Sequence, residues 1–252
     1  MRVLVSIDDT DNIDVKRGTG ELAAMLADAI EEKGWGISEP VTRHQLLVHP
    51  DIPYTSHNSS MCFKAEIAPS RLEQLIDFAS DFLVKESAAG SDPGLCVVVI
   101  DRLARPGWLI AFGYSAKLEV LTKDYAYGLA EELKIHLSEH GGTGDGIIGA
   151  MAGAGLRLSG NDGRFRGKLK IKPENEVASV SEILAKSQMN IRVDMVKSLE
   201  AGHTLEESEL VRLGETVKPV LIGGKSVLLV NPAVADQEAA WITLSKNQLK
   251  DY

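Results

Sequence analysis

The first residues of the chain form a short apolar run that changes abruptly into acid. Residues 3–7 are mostly apolar and β-branched, which is typical of a buried strand, and Asp8-Asp9-Thr10-Asp11 follows at once. A helix is predicted next, because apolar residues recur at steps of three and four until Gly34 ends the pattern. Its apolar positions are Leu22, Met25, Leu26, Ala29 and Ile30.

A strand–helix–strand pattern follows. Residues 63–67 alternate between apolar and polar, as in a half-buried strand. A helix is predicted from about Ser70, where Ser70 and Glu73 fit a capping box, and Leu95 to Ile100 has the composition of a fully buried strand. Two strands joined through a helix predict a crossover connection.

The next helix is predicted over Tyr125 to Leu137, ending near His140. Gly141 then begins a glycine-rich segment that leads into a helix of small residues, Ile147 to Ala154. His136 and His140 are four positions apart and would share one face of a helix that is already ending there. Their spacing does not predict a zinc site.

Beyond Pro173 the pattern becomes β-rich. Ile183 and Leu184 suggest a short helix, and Gly223-Gly224 separates two apolar strand segments, which is a strong hairpin signal. The chain is therefore predicted to be an α/β (α+β) protein. We expect an α/β domain over residues 1–172 and a small β-rich domain over residues 173–252.

Composition narrows the class of partner. The chain has 252 residues, 44% of them hydrophobic and 25% charged, with a net charge of −9. This charge repels nucleic acid, so RNA binding would need a local basic patch such as Lys168, Lys170 and Lys172. A solvated strand face is the preferred interpretation of those lysines.

Two cysteines stand alone in apolar runs, Cys62 and Cys96, with no CxxC motif or Cys/His pair beside them. They indicate small core residues of a reducing compartment rather than zinc ligands or a disulfide. No run approaches the length that spans a bilayer, so the protein is expected to be cytoplasmic and without a membrane partner.

The acidic loop is the first candidate for chemistry. Asp8, Asp9 and Asp11 crowd three carboxylates at the end of a buried strand, which is costly unless a cation offsets their repulsion. Mg²⁺ prefers such oxygen ligands and completes its shell with water and phosphate oxygens. The alternative interpretation is a solvated acidic loop or a helix cap.

Lys16, Arg17, Gly18, Thr19 and Gly20 lie immediately before the first helix. Exposed backbone N–H groups and the helix dipole favour an anion at such a place, so we predict a phosphate site. Thr19 could contact the phosphate or could be the N-cap of the helix. The N-cap is the more common role for a threonine at such a position, and the sequence favours it.

The glycine-rich segment includes Thr143, Gly144, Asp145 and Gly146, and Gly144 to Gly149 matches G-x-G-x-x-G. A helical pattern precedes the motif, so the dinucleotide-binding context fails, and a Walker lysine is missing. Glycines still let backbone approach a ligand closely, with the next helix offering its N-terminus. Tight packing of small residues against a sheet is the competing explanation.

A polar loop rigidified by two prolines covers residues 50–60 and contains His57 and Asn58. Such a loop can touch a nucleotide or an acceptor, and an inert turn is the alternative. These two residues complete the set of candidate nucleotide contacts.

Residues 7–11, 17–19, 50–58 and 144–152, taken in this order, resemble the kinase-like portion of archaeal tRNA-isoleucine agmatinylcytidine synthetase. The resemblance extends loosely from residue 1 to about residue 172. It implies that the acidic loop binds ATP and magnesium, that Thr19 takes part in phosphoryl transfer, and that Gly144, Asp145 and Gly146 lie near phosphates. It also implies a ferredoxin-like segment at about residues 61–121.

The sequence departs from that family in two respects. The segment between Asp11 and Gly18 is longer, and the C-terminal part has neither a cysteine-rich zinc ribbon nor a clear oligonucleotide-binding domain. Agmatine modification of tRNA is therefore not predicted. We expect a magnesium-dependent, ATP-using phosphotransferase or ATPase with an unidentified small-molecule acceptor. The alternatives are a nucleotide-binding regulatory module without turnover, and an RNA-binding or tRNA-modifying protein.

Overall fold

The computed structural model describes residues 1–12, 17–52, 58–167, 169, 171, 176–187, 191–215, 217–234, 238–250 and 252. Within them the chain forms two compact units, Met1–Ser159 and Gly160–Tyr252. The domain boundary predicted near residue 172 stays a prediction, because residues 172–175 lie outside the described residues.

The first unit is built around one sheet. Its strands are β1 (Arg2–Asp8), β2 (Gly36–Ser38), β3 (Thr42–Gln45), β4 (Ser59–Ile67), β5 (Gly94–Val99) and β6 (His136–Glu139). Strand β1 lies between β4 and β5 and is antiparallel to both, so β4 and β5 run parallel to each other. Strand β6 pairs with β5, while β2 and β3 both pair with β4.

Helices cover both faces of this sheet. They are α1 (Thr19–Glu32), α2 (Leu72–Glu86), α3 (Pro106–Ser115), α4 (Lys123–Leu133) and α5 (Gly146–Ser159). Helices α1 and α2 pack in one apolar cluster, and α3, α4 and α5 pack in another. The predicted mixed α/β class and the β4–α2–β5 crossover are confirmed.

Helix α5 lies in contact with β1, β4 and β5, and half of its residues are glycine or alanine. A β-carbon on Gly153 would come 2.6 Å from the Ser6 hydroxyl oxygen, and one on Gly155 would overlap the backbone oxygen of Leu109 in α3. The helix therefore needs small residues to fit between the sheet and α3. The close-packing interpretation of this segment is correct.

Two local predictions are wrong. The helix predicted over residues 125–137 ends at Leu133, where Lys134 adopts a left-handed conformation with φ 55°, and β6 replaces its second half. The capping box at Ser70 and Glu73 is wrong as well, because α2 is preceded by a 3₁₀ turn over Pro69–Arg71 and has no side-chain cap. The pattern also left α3 unpredicted, since that helix is apolar on most sides.

The second unit is β-rich, as predicted. It contains β7 (Arg164–Phe165), β8 (Val177–Ser179), helix α6 (Val180–Ser187), β9 (Met195–Ser198), β10 (Leu210–Arg212), β11 (Val220–Ile222), β12 (Lys225–Pro232) and β13 (Trp241–Thr243). The hairpin prediction is confirmed, because β11 and β12 pair across Gly223 and Gly224, which have φ 59° and 72°. The lysines of the predicted basic strand, Lys168, Lys170 and Lys172, lie outside the described residues.

Cys62 and Cys96 are buried free thiols on β4 and β5, as predicted. Burial raises the pKa of Cys62 to about 12 and that of Cys96 further still. Both side chains belong to the apolar cluster beneath α5. In the part of the chain that the structure describes, no helix has the length and apolarity needed to cross a membrane.

Candidate active site

A cavity of about 680 Å³ opens at the end of β1 in the first unit. Its walls come from the acidic loop, the start of α1, strand β3 with the start of β4, the connection between α3 and α4, and the start of α5. This volume lies within the range of small-molecule and cofactor sites in proteins. The acidic loop and the glycine-rich segment therefore reach one cavity, although far apart in sequence.

Asp8 is the last residue of β1 and only 9% exposed. Its carboxylate lies against α5 at Gly149, where a β-carbon would overlap the Asp8 Oδ2 atom. Burial first, and then the negative charge of Asp9, raises the pKa of Asp8 to about 8. A buried carboxyl group without a cation beside it holds its proton at neutral pH.

Asp9 adopts a left-handed backbone conformation with φ 51°, which is uncommon outside glycine. Partial burial, followed by the charges of Asp92, Asp11 and Asp145, raises its pKa to about 6. Four acidic residues from three loops thus share one electrostatic environment with Asp8. Such crowding is the property that a bound cation would relieve.

Asp11 lies against the start of α1. Its Oδ2 atom accepts the backbone N–H of Thr19 at 3.3 Å, and a β-carbon on Gly18 would come 2.9 Å from the same oxygen. Thr19 is buried, and its hydroxyl oxygen accepts the backbone N–H of Thr10 at 3.4 Å. The N-cap is Gly18, which has no side-chain bond, so the interpretation of Thr19 as the cap is wrong.

The starts of three helices line the cavity. They are Gly18, Thr19 and Gly20 at α1, Thr122 to Asp124 at α4, and Asp145 and Gly146 at α5. The first N–H groups of a helix have no partner within the helix, and they lie at the positive end of its dipole, which favours anions. The cavity therefore combines a crowded acidic loop with backbone donors suited to phosphate.

Two cationic side chains belong to the described lining, and the sequence pattern identified neither. Arg43 projects from β3 and is held by the Ser59 hydroxyl oxygen at 2.9 Å. Lys123 is the first residue of α4, donates to the backbone oxygen of Thr143, and lies 3.5 Å from a carboxylate oxygen of Glu139. Lys123 follows the N-cap Thr122, a position that could have been recognised.

The glycine-rich segment follows β6 directly. Gly142 and Gly144 have φ 57° and 80°, which side chains rarely adopt. A strand therefore precedes the glycine-rich motif, and the prediction of a helix there is wrong. Dinucleotide-binding motifs follow a strand of a parallel sheet, whereas β6 is antiparallel to β5, so that context is absent here. Asp145 and Gly146 line the cavity, while Thr143 and Gly144 are not among its lining residues.

The remaining predicted contacts are distributed unevenly. Asn58 lines the cavity and donates to the backbone oxygen of Leu47 at 2.6 Å. Arg17 is largely exposed and pairs with Glu86 of α2 at 2.9 Å. Lys16 and His57 lie outside the described residues.

His136 begins strand β6 and His140 follows its last residue, so the two do not share a helix face. The Ser138 hydroxyl lies 2.8 Å from an Nε2 atom of each ring. Burial lowers the pKa of both imidazoles, so they are mainly neutral at pH 7. These side chains lie in and directly after β6 and are not among the residues that line the cavity.

The donor set fits magnesium held jointly with phosphate. No group of three His, Cys, Asp or Glu side chains among the described residues is arranged to hold a metal ion. Mg²⁺ does not require one, because it usually takes one or two protein carboxylates together with water and substrate phosphates. Asp8 and Asp9 supply such carboxylates, and the helix starts supply phosphate donors.

Solved structures with similar folds come from tRNA-modifying proteins. A tRNA fluorescent labeling enzyme is 28% identical to this chain, with a TM-score of 0.51. TiaS in complex with an isoleucine tRNA and ATP is 26% identical, with a TM-score of 0.53. Each of these two matches covers 62% of this chain and 36% of the other chain. Apo TiaS, an agmatidine synthetase for isoleucine tRNA, matches over 82% of this chain and 49% of its own, at 21% identity and a TM-score of 0.51.

These neighbours confirm the resemblance that the sequence motifs indicate. The chain spans between 36% and 49% of the length of these proteins. No protein-family model matches the sequence, and no curated protein matches it.

Proposed function

We propose that this structural relative of the tRNA agmatidine synthetase TiaS is an ATP-using enzyme that transfers a phosphoryl group with the help of magnesium. The observation that supports the proposal is the meeting of Asp8 and Asp9 with three helix starts in one cavity. Phosphoryl transfer depends mainly on positioning and on stabilising developing negative charge, and these groups are suited to both.

In this proposal the carboxylates of Asp8 and Asp9 hold the magnesium ion, with Asp11 close enough to assist. When bound, the ion would neutralise phosphate charge and supply electrostatic stabilisation of the transferring group. The same charge would keep the Asp8 carboxyl ionised at neutral pH. Asp11 also holds the backbone of Thr19, so the acidic loop and the start of α1 would keep one geometry.

The phosphates would lie against backbone donors. Gly18, Gly20, Asp145 and Gly146 offer these at the starts of α1 and α5. Thr19 would place its hydroxyl near the transferring phosphoryl group, as the family resemblance implies. Thr143 and Gly144 do not line the cavity, and their role would be to set the conformation of the glycine-rich loop.

The nucleoside end has an apolar wall available. Several apolar side chains line the cavity and suit a flat base: Leu46, Ile52, Met61, Val120, Leu121 and Ile148. Asn58 also belongs to the lining, and Lys16, Arg17 and His57 remain proposed contacts from the adjoining loops. We assign the ATP-binding role to residues 1–172 and none to residues 173–252.

Calorimetric titration with a non-hydrolysable ATP analogue tests the proposal. We expect binding that needs Mg²⁺ and that Asp8→Asn and Asp9→Asn each abolish. Asp28→Asn is the matched control, because Asp28 is an exposed residue on α1. Unchanged binding by the two site variants, or no binding by the wild-type protein, would contradict the proposal. Binding of ATP itself without formation of product would instead support the regulatory module.

RNA is a second candidate for the acceptor, because the structures at 26% and 28% identity belong to a tRNA complex and a tRNA labeling enzyme. The net charge of −9 opposes it. Fluorescence anisotropy with a labelled tRNA transcript at increasing salt tests this candidate. Affinity that falls steeply with salt supports an RNA acceptor, and no binding at low salt supports a small molecule.

A further inference from the structure

The segment between α2 and β5, residues 87–93, contacts the acidic loop. The backbone N–H of Ala88 donates to the backbone oxygen of Thr10 at 2.9 Å. The side-chain amide of Asn12 donates to the backbone oxygen of Ala89 at 3.0 Å. These two bonds fix the acidic loop on both sides of Asp11.

The same segment contacts the glycine-rich loop through Asp92. The Asp92 carboxylate accepts the backbone N–H of Thr143, and it accepts the Thr143 hydroxyl at 3.0 Å. A β-carbon on Gly142 would overlap the Asp92 carboxylate, and one on Gly146 would overlap its backbone oxygen. Two of the glycines are therefore required by the close approach of Asp92.

The glycine-rich loop is held on its other side by α4 and β6. Lys123 donates to the backbone oxygen of Thr143, and Tyr127 donates its hydroxyl to a Glu139 carboxylate oxygen at 2.7 Å. A β-carbon on Gly144 would overlap that same carboxylate. With Asp92 on one side and Lys123 on the other, the backbone at Thr143 is fixed by contacts on both sides.

We propose that residues 87–93 form a bridge that sets the spacing between the acidic loop and the glycine-rich loop, with Asp92 as its positioning residue. The inference rests on the proposed function, because that spacing matters only if one nucleotide contacts both loops. Asp92 has an electrostatic cost, since its charge adds to the repulsion around Asp9. Its bonds to Thr143 offset that cost, because a carboxylate accepts N–H and O–H bonds strongly.

Asp92→Ala and Asp92→Asn test the bridge. Alanine removes both acceptors, whereas asparagine keeps an oxygen for the Thr143 N–H and adds an N–H for its hydroxyl. We expect Asp92→Ala to weaken binding of the magnesium-bound ATP analogue by about tenfold or more. We expect Asp92→Asn to restore affinity to within about threefold of wild type. Asp81→Ala is the control, because Asp81 is exposed on α2.

Hydrogen–deuterium exchange of residues 141–146 without nucleotide provides a second readout. Faster exchange in Asp92→Ala, with wild-type exchange in Asp92→Asn, supports the bridge. If Asp92→Ala fails to fold, Thr143→Ala removes only the hydroxyl bond and should give a smaller increase in exchange and about a threefold loss of affinity.

The outcomes separate the two proposals. Wild-type exchange in Asp92→Ala, or faster exchange together with unchanged nucleotide affinity, overturns the bridge while the wild-type titration still supports ATP binding. Equal losses of nucleotide affinity in Asp92→Ala and Asp92→Asn also overturn the bridge, because asparagine retains the hydrogen bonds to Thr143. A wild-type protein that binds no nucleotide overturns the proposed function, and the role of the bridge in it.

Discussion

The carboxylate of Asp8 occupies the space that a side chain at Gly149 would need. A β-carbon at Gly149 would overlap Oδ2 of Asp8 and come 3.1 Å from its Cβ. Asp8 is buried at the end of β1, so a side chain at Gly149 could be accommodated only if the Asp8 carboxylate left its present position. The glycine in α5 thus determines where the acidic loop places its most buried carboxylate.

Gly149→Ala should therefore affect nucleotide binding more strongly than the stability of the fold. We expect it to displace the Asp8 carboxylate and weaken magnesium-dependent nucleotide binding by at least about tenfold, with a loss of about 1–3 kcal/mol in the free energy of unfolding. Calorimetry and chemical denaturation measure the two effects.

Gly128→Ala is the matched control for that experiment. Gly128 is exposed in α4, and a β-carbon there would meet no atom within 4 Å. Alanine should leave nucleotide affinity unchanged and stabilise the protein by up to about 1 kcal/mol. If Gly149→Ala behaves like this control, the contact between Asp8 and α5 does not position the carboxylate.

Binding of the metal–nucleotide complex should depend on pH. The pKa values of Asp8 and Asp9 are raised to about 8 and about 6, and both carboxylates must lose their protons to hold a cation. Affinity for the magnesium-bound analogue should rise between pH 6 and 8, by up to about tenfold per pH unit, and then level off. Titrations across this range that show constant affinity would count against these carboxylates as ligands.

The ligand-free protein should show the opposite trend in stability. The folded-state pKa of Asp8 lies above its ordinary value of 3.8, so folding favours the protonated carboxyl group. The contribution of Asp8 to the free energy of unfolding is therefore fully present below about pH 4 and is lost as the pH rises through 8. Asp8→Asn removes this loss and should make the ligand-free protein more stable than wild type at pH 8, by about 5 kcal/mol. Equal stability of the two proteins at pH 8 would show that Asp8 is not desolvated.

Arg157 should contribute to stability through burial. Its guanidinium, 4% exposed, donates to the Thr42 hydroxyl at 3.1 Å and to a Glu39 carboxylate oxygen at 2.9 Å. Arg157→Ala should cost about 2–4 kcal/mol in the free energy of unfolding, because it opens space and removes buried donors.

Arg105→Ala provides the comparison. Arg105 pairs with Glu132 at 2.6 Å, and both side chains are about half exposed. Because solvent screens this pair, its loss should cost under about 1 kcal/mol. Denaturation curves in which the two variants lose similar stability would contradict the assignment of Arg157 to the core.

The sequence predicted those parts of the site that depend on local pattern. Residues 3–7 encode a strand by their own composition, and the acids that follow must lie at its end. Asp92 could not be identified in this way, because its importance comes from Thr143, a partner distant in sequence. The end of α4 was missed for a local reason, since Lys134 takes a left-handed conformation without the glycine that usually marks it.

The contact between Asp8 and α5 also determines when the site can form during protein synthesis. Asp8 and Gly149 are 141 positions apart (149 − 8), and α5 is the last helix of the first unit. A growing chain that has not yet released α5 from the ribosome leaves the α5 side of β1, β4 and β5 uncovered. The cavity of the first unit therefore cannot be complete before α5 has left the ribosome, and shorter nascent chains expose an apolar sheet face.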